Sequence, residues 1–402
     1  MTEKIVLAYS GGLDTSIAIK WIKENYKMDV IALTINLGGM EQKDLDAIQR
    51  KAYDVGAVSA YVVDAREAFV NDYVWPALKA NAIYEGYPLA TALARPLIAK
   101  LLAETARKDG AKAVAHGSTG KGNDQVRFEV GVMALAPELK IYAPAREWGM
   151  SREQGIAYAR KHGILVPVTV GSPYSVDENL WGRSCECGVL EDPWAEPPED
   201  AYGWTASPED GPDKPEYIEI EFFKGIPVAL NSKKLGAVGL VENLNKLAGA
   251  HGVGRLDNVE SRLVGIKSRE IYEAPAGIVL LAAHQALEAI TLAKDQLRYK
   301  SKVAIEYADL TYNGLWFSAH RKDLAAYVDS TQRNVTGTVR VKLYKGIATV
   351  VGRKSLKTLY SYGLATYDDE DQFDHSNAEG FIRIWGLPLK IQTQLQGDDF
   401  DK

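Results

Sequence analysis

An apolar run, Ile5 to Ala8, stops at Ser10-Gly11-Gly12 and gives way to a helical repeat, and no other stretch restricts the fold as strongly. A run of that length suits a buried strand. In the repeat that follows, Ile17, Trp21 and Ile22 share one side, and Lys20, Lys23 and Glu24 the other. The chain therefore goes strand, glycine turn, helix. Gly11 and Gly12 permit positive φ and let backbone N–H groups approach a ligand closely. Asp14, Thr15 or Ser16 is placed to cap the helix. The orphan N–H groups and dipole of a helix start suit phosphate. The loop lacks the Gly-Lys-Ser/Thr end of a P-loop and the G-x-G-x-x-G spacing of a dinucleotide fold.

Strands and helices alternate through residues 1–170. Strands are expected at Asp29–Leu37, Ala60–Val63, Ala111–Ala115 and Leu139–Ala143. Helices are expected at Gln42–Val55, Arg66–Asn81, Ala92–Lys108 and Gln125–Leu135, and from the capping box Ser151-Arg-Glu-Gln154 to about Lys161. Such alternation means an α/β fold, a doubly wound parallel sheet covered on both faces. Ligands sit outside the carboxyl ends of its strands, where both Ser10 and His116-Gly117 lie.

The composition breaks at Glu191–Pro215, which holds six of the 16 prolines among several acidic residues. This reads as a rigid connector rather than a core element. Beyond it, hairpins are expected around Lys224-Gly225 and Lys345-Gly346, and helices at Val238–Ala248 and Gly277–Ala293. Residues 171–362 thus read as an α+β domain, and residues 363–402 as a tail with an acidic stretch.

With 402 residues the chain has room for two or three domains. The net charge of −6 and the lack of a dense basic block exclude a nucleic-acid groove. Gly277–Ala283, the longest strongly apolar stretch, is too short to cross a membrane. A strand that begins by residue 4 or 5 leaves no room for a signal peptide. Cys185 and Cys187 are the only cysteines, so a disulfide framework is excluded and a cytoplasmic setting is expected. With no second Cys or His pair nearby, they are not expected to hold metal.

The densest chemistry lies in His116-Gly-Ser-Thr-Gly-Lys-Gly-Asn-Asp-Gln-Val-Arg127. Three glycines, two hydroxyls, a lysine, Asn123, Asp124 and Arg127 sit in one loop running into a helix. A carboxylate there can take an ammonium group, and Arg127 can fork onto a carboxylate. Tyr84-Glu-Gly-Tyr-Pro-Leu-Ala-Thr-Ala-Leu-Ala-Arg-Pro96 says by itself only that two prolines bound a segment leading into a helix. Ser172–Ser184 reads alone as a loop with a capped turn, and Val259–Tyr272 as a charged strand face.

The loop Ser-Gly-Gly-Leu-Asp-Thr-Ser16 resembles the SGGxDS signature of the PP-loop ATP pyrophosphatases. In the form SGGLDTS it is similar to the argininosuccinate synthases. The other segments resemble that family's HGxTGKGNDQxRFE, YxLxTSxARP, PxSxDxNLxxxS and HGVGRxDxVExRxxGxKSRxxYE, in the family's order from Lys4 to about Tyr362. The resemblance implies a PP-loop nucleotide domain at 1–170, a synthetase domain at 171–362 with its connector at 191–215, and an oligomerisation arm at 363–402. It implies that ATP, with Mg²⁺, activates citrulline as an adenylate, which aspartate then attacks. It assigns ATP to Ala8, Tyr9, Ser10, Gly11, Gly12, Leu13, Asp14, Thr15, Ser16 and Gly117, with Asp14, Ser16 and Asp124 catalytic. Citrulline falls to Tyr87, Thr91, Asn123, Arg127, Ser175, Ser184, Glu260 and Tyr272. Aspartate falls to Thr119, Asn123 and Asp124. A homotetramer is implied, with no dedicated metal cage, no nucleic acid and no membrane. The chain departs from the pattern at Ala92, where many members have Ser, and at Glu270, where Gly is usual.

Two rival readings stand beside this one. Another PP-loop adenylating ligase would want a glutaminase cysteine, a zinc ribbon or a basic face. A non-catalytic nucleotide-binding regulator would be expected to have lost Asp14 or Asp124, and both are present.

Overall fold

The structure, a computed structural model, describes residues 2–165 and 174–397. The boundary expected at 170/171, and Ser172 and Pro173 of the segment before the connector, lie outside these residues. The chain divides into one compact unit, Met1–Lys357, and a second, Thr358–Lys402.

In order, the first half holds β1 (Lys4–Ala8), α1 (Leu13–Asn25), β2 (Asp29–Asn36), α2 (Gln42–Val55), β3 (Ser59–Asp64), α3 (Arg66–Phe69), α4 (Trp75–Ala80), α5 (Ala90–Asp109), β4 (Ala113–Ala115), α6 (Asp124–Leu135), β5 (Lys140–Tyr142), α7 (Pro144–Glu147) and α8 (Arg152–Lys161). The strands form one parallel sheet in the order β3-β2-β1-β4-β5. Side-chain alternation explains why both faces are covered. Ile5, Leu7, Val30 and Ala32 pack with Ala18, Ile19 and Ile22 of α1 on one face. Val6, Ile31 and Leu33 pack with Ala99, Leu102 and Ala106 of α5 on the other. The strand order reverses between β1 and β4, so the crevice of a doubly wound sheet opens where their carboxyl ends part.

Local chemistry accounts for several boundaries. The Ser151 capping box forms in both directions. A π-turn at Val70–Val74 precedes α4, because Pro76 cannot donate and its ring crowds the carbonyl four residues back. Most strand and helix ends shift by one or two residues, and two differences from the sequence reading bear on the site. Helix α5 starts at Ala90 rather than Ala92, after Leu89, which takes a left-handed φ of 67°, and runs through Pro96 as the expected span did. The cap of α1 is Gly12, not Asp14, Thr15 or Ser16, and no side chain caps its N-terminus.

The second half of the compact unit holds β6 (Ser175–Asn179), β7 (Gly182–Glu186), β8 (Glu216–Phe223), β9 (Ile226–Leu230), β10 (Lys233–Lys234), α9 (Ala237–Ala250), β11 (Arg255–Ser261), β12 (Lys267–Glu273), α10 (Pro275–Thr291), α11 (Lys294–Tyr312), α12 (Ala319–Thr331), β13 (Gly337–Tyr344) and β14 (Ile347–Lys354). Two antiparallel sheets result, β10-β9-β8-β13-β14 and β11-β12-β7-β6. Both expected hairpins form. Lys224-Gly225 and Lys345-Gly346 have positive φ at each residue, as the favoured two-residue turns require. The segment read as a capped loop before the connector is instead the β6–β7 hairpin.

The connector is irregular, but it is not detached from the core. Leu190 and Ala201 are fully buried with Cys185 and Ile271. Glu273, wholly buried, accepts bonds from the backbone N–H groups of Gly203, Trp204 and Thr205 and from Thr205 Oγ1, at 2.7–2.8 Å. Arg183 Nη1 donates to the same carboxylate at 2.8 Å. With Arg255 on Glu199 and Thr205, and Arg269 on the Asp192 and Ala195 carbonyls, Glu273 ties the connector to the four-stranded sheet. The second unit holds α13 (Tyr362–Ala365), α14 (Ser376–Trp385) and α15 (Leu387–Gln396), none with a buried residue.

Glu273→Ala should lower the unfolding free energy by about 3–5 kcal/mol, the usual cost of stripping one partner from a buried charge pair. The readout is a lower urea midpoint at unchanged slope. A midpoint equal to the parent's would show that the connector is held by other means.

Candidate active site

At the β1–β4 crevice a cavity of about 430 Å³ opens. Its floor is the turn after β1. Gly11 has a φ of 77°, and a Cβ there would meet Ile48 at 2.9 Å, so the position demands glycine. Ser10 Oγ accepts from Gly12 N at 3.3 Å and lies 3.2 Å from Thr15 Oγ1. From beneath, Lys51 Nζ donates to the Gly11 carbonyl at 2.6 Å. The burial that makes this possible lowers the Lys51 pKa. Gly12, Asp14 and Thr15 line the cavity, so the uncapped start of α1 faces it. Ala8, Leu33, Ile35 and Ile98 make an apolar side suited to a flat base. A dipole-backed helix start beside such a slot suits a nucleoside polyphosphate.

A second cavity, about 170 Å³, lies beside the first. Tyr87, Thr91, Arg127, Ser184, Glu260 and Tyr272 line it. Asp124, Ser175 and Asp177 line both cavities, so the two share a wall. Asp124 Oδ2 accepts from Arg95 Nη2 at 2.7 Å, and its Oδ1 from Arg127 Nη1 at 3.2 Å. Arg95 Nη2 also pairs with Asp177. Burial opposes charge on Asp124, but the two guanidinium groups outweigh it and hold the carboxyl down to about 2. Burial likewise opposes the Arg95 charge, and Asp124 and Asp177 together raise its pKa.

The far wall is aromatic. Tyr87 stacks on Tyr272 at 4.1 Å, and Tyr84 on Tyr312 at 3.6 Å. Glu260, 1% exposed, accepts from the hydroxyls of Tyr272 at 2.8 Å and Tyr312 at 2.5 Å. Arg127 Nε donates to the Tyr312 carbonyl at 2.9 Å, while its Nη2 is buried without a hydrogen-bond partner. An unmatched guanidinium N–H beside a polar cavity suits a ligand carboxylate.

The sequence-derived residues separate into three groups. Ala8, Tyr9, Ser10, Gly12, Leu13, Asp14, Thr15 and Gly117 line the larger cavity, and the eight residues expected at citrulline line the smaller. Gly11 and Ser16 lie beneath the loop. Ser16 is fully buried, with its Oγ 3.2 Å from Tyr9 Oη and donating to the Gly11 carbonyl at 3.4 Å. Thr119 is exposed and lines neither cavity. Asn123 lines the smaller cavity, but its amide already bonds Tyr312 Oη and the Leu263 N–H. Ala92, beside Thr91, is buried and also lines neither.

Sequence reasoning passed over Arg95, Asp177, Glu186, Arg262 and Glu270 as site residues. For Arg95 a signal existed: it is the one charge in the apolar run Leu89–Ala99. Among the described residues no group of three His, Cys, Asp or Glu side chains stands close enough to cage a metal ion.

A polyphosphate cradle on a parallel sheet, walled against an amino-acid-sized polar cavity, defines a nucleotide-dependent ligase. Residues 4–165 match the arginosuccinate synthase N-terminal HUP domain, and residues 174–392 the arginosuccinate synthase C-terminal domain. The chain is 62% identical over 397 residues to the argininosuccinate synthase of Dehalococcoides mccartyi, covering 98% of this chain and 97% of that one. It is 59% identical over 395 residues to that of Symbiobacterium thermophilum, covering 98% of each. It is 58% identical over 391 residues to that of Geobacillus kaustophilus, covering 97% and 96%. The chain belongs to the argininosuccinate synthase family, ATP-using ligases of arginine biosynthesis.

Arg95→Leu should leave Asp124 and Asp177 without their shared cation and cost about 1–3 kcal/mol of stability at neutral pH. A depressed carboxyl contributes stability above its ordinary pKa of about 3.9, lost as pH falls toward its folded value. For Asp124 that value is about 2. The drop in stability from pH 5 to pH 2.5 should therefore shrink in the variant. Urea unfolding at both pH values tests this, and an undiminished drop would refute it.

Proposed function

We propose that the larger cavity holds ATP and the smaller holds citrulline, so that the ureido oxygen meets the α-phosphorus across the shared wall. The contact of the two cavities at Asp124, Ser175 and Asp177 carries this reading. In the first step the ureido oxygen attacks the α-phosphorus, forming a citrullyl-adenylate and releasing pyrophosphate. In the second, the aspartate amine attacks the ureido carbon, and AMP leaves with the oxygen. The products are argininosuccinate, AMP and pyrophosphate.

Each step uses groups described above. The N–H groups at Gly12–Thr15 receive the leaving pyrophosphate, and preorganised donors there lower the barrier. Lys51 and Ser16 hold the Gly11 carbonyl and so fix the loop. Mg²⁺ would supply counter-charge to the phosphates, and Asp14, which lines the larger cavity, is the carboxylate that would hold it. Arg127 Nη2 takes the citrulline carboxylate, and Glu260 with its tyrosines lies at the other pole. Positioning across one wall supplies much of the rate.

We assign Asp124 to the aspartate ammonium, and Asn123 and Thr119 of the same loop to the rest of that ligand. It has a second duty, since the same carboxylate holds Arg127. The exposed Phe381, Ile382, Ile384 and Trp385 of α14 support a role for residues 363–402 as an oligomerisation arm, consistent with a homotetramer. The free cysteines suit a cytoplasmic setting, and no described helix is long and apolar enough to cross a membrane.

Asp124→Ala separates the half-reactions. Loss of charge-assisted bonds worth about 1.5–3 kcal/mol should cut full turnover by about tenfold to a hundredfold. Citrulline-dependent exchange of labelled pyrophosphate into ATP should fall less, through the loosened Arg127 alone. An equal fall in both would remove Asp124 from the aspartate site. Exchange that needs no citrulline would sink the two-cavity reading.

A further inference from the structure

The smaller cavity has a proton-counting problem at Tyr272. Its hydroxyl lies 2.8 Å from Glu260 Oε2 and 2.8 Å from Glu270 Oε2. A phenol has one proton and can donate to one of them. Glu260 already receives a second phenol, Tyr312, and lies 1% exposed. Both contacts can be hydrogen bonds only if one of the two carboxyls carries a proton and donates to the Tyr272 oxygen, and Glu270, with no second phenol to serve it, is the candidate.

The surrounding charges agree. Glu270 Oε1 accepts from Arg262 Nη2 at 3.1 Å, but that guanidinium also serves Glu186 at 2.5 Å. Glu186 from β7 and Glu270 from β12 thus share a single cation, Arg262, while Glu260 from β11 is met by the two phenols. Arg127 and Asp124 of α6 and Asp177 of β6 also line the cavity, but Arg127 and Asp124 are paired with each other and Asp177 with Arg95. Burial first, then Glu260 and Glu186, raise the Glu270 carboxyl to about 7 against the opposing pull of Tyr272 and Arg262.

We infer that Glu270 is a further substrate-positioning residue: protonated in the empty cavity, it ionises as the α-ammonium of the bound amino acid arrives. The O–H bond of Glu270 breaks, its proton passes to solvent, and an N–H of the ammonium takes its place as donor. This inference rests on the proposed placement of citrulline in the smaller cavity and names a residue that placement leaves unused.

The sign of the pH dependence follows. A group protonated only in the free state makes binding release a proton, so affinity rises with pH until the free group is ionised. With a carboxyl near 7, citrulline affinity should rise about tenfold between pH 6 and pH 8. The test is calorimetric titration of citrulline into the full chain with α,β-methylene-ATP present, in buffers of different ionisation enthalpy. At pH 7 the parent should release about half a proton per citrulline bound. Glu270→Gln and Glu270→Gly should release none, bind more weakly at pH 8, and show a flat profile. The citrulline KM should follow the same pattern, with kcat little changed. Tight binding by the parent with a flat profile, or the same rise in Glu270→Gln, overturns this inference alone. No citrulline binding at any pH overturns it together with the placement on which it rests.

Discussion

The buried guanidinium of Arg95 is the point on which the site depends. It comes from α5, which covers one face of the parallel sheet. Its partners come from the start of α6, Asp124, and from an antiparallel sheet, Asp177. Two helices beside the parallel sheet and a strand of an antiparallel sheet therefore meet at one charge. Burying that charge costs several kcal/mol, which the two carboxylates and the Phe128 ring 5.5 Å away offset. With Arg127 the group holds two cations and two anions. It is neutral as a set and unbalanced if any member is lost. That makes it a rigid partition and a good common wall for two ligands.

A shared wall matters because the proposed chemistry is demanding in geometry and modest in functional groups. A ureido oxygen is a poor nucleophile, and no dedicated general base is evident beside it. What the two cavities offer is alignment, with phosphate donors on one side and a carboxylate anchor on the other. Effective-molarity effects of the size known for aligned reactants need no further group. The loop proposed to receive the phosphates is fixed in the same spirit. Gly11 is held from beneath by Lys51 and Ser16, and so the donors need not reorganise as charge develops.

Much of this was legible in the sequence, for identifiable reasons. The buried strands of the first sheet are short apolar runs with helix-period segments between them. Two-residue turns at Lys224-Gly225 and Lys345-Gly346 announce their hairpins. The loops 8–16 and 116–127 carry more glycine and polar groups than turns need. Other features arise only in three dimensions. The proline-rich connector looks detached, and distant side chains fasten it, Glu273 at Gly203–Thr205, Arg255 at Glu199 and Arg269 at Asp192 and Ala195. Ser16 reads as a cradle residue, and its hydroxyl turns beneath the loop. Arg95 and Asp177 are 82 positions apart, and no local pattern announces such a pair.

The polar groups left unmatched say where binding energy is available. Nearly all buried polar atoms in a folded protein find partners, and a low-dielectric setting magnifies both a match and a miss. Around this site most do: Glu260 takes two phenols, and Asn123 uses both ends of its amide. The exceptions include Arg127 Nη2 and Arg95 Nε, both on the ionic partition. The stacked pairs Tyr87–Tyr272 and Tyr84–Tyr312 surround the smaller cavity with apolar faces and keep it poorly screened. A ligand carboxylate that completed Arg127 would recover a penalty the empty site carries, besides forming a new bond. The same logic holds at the opposite pole, where acidic groups outnumber the one cation that faces them. A zwitterion answers both imbalances at once, and a ligand carrying only one of the two charges answers one. That is a physical basis for selecting a free α-amino acid over its amide or its deaminated analogue, and it needs no contact with the side chain that reacts.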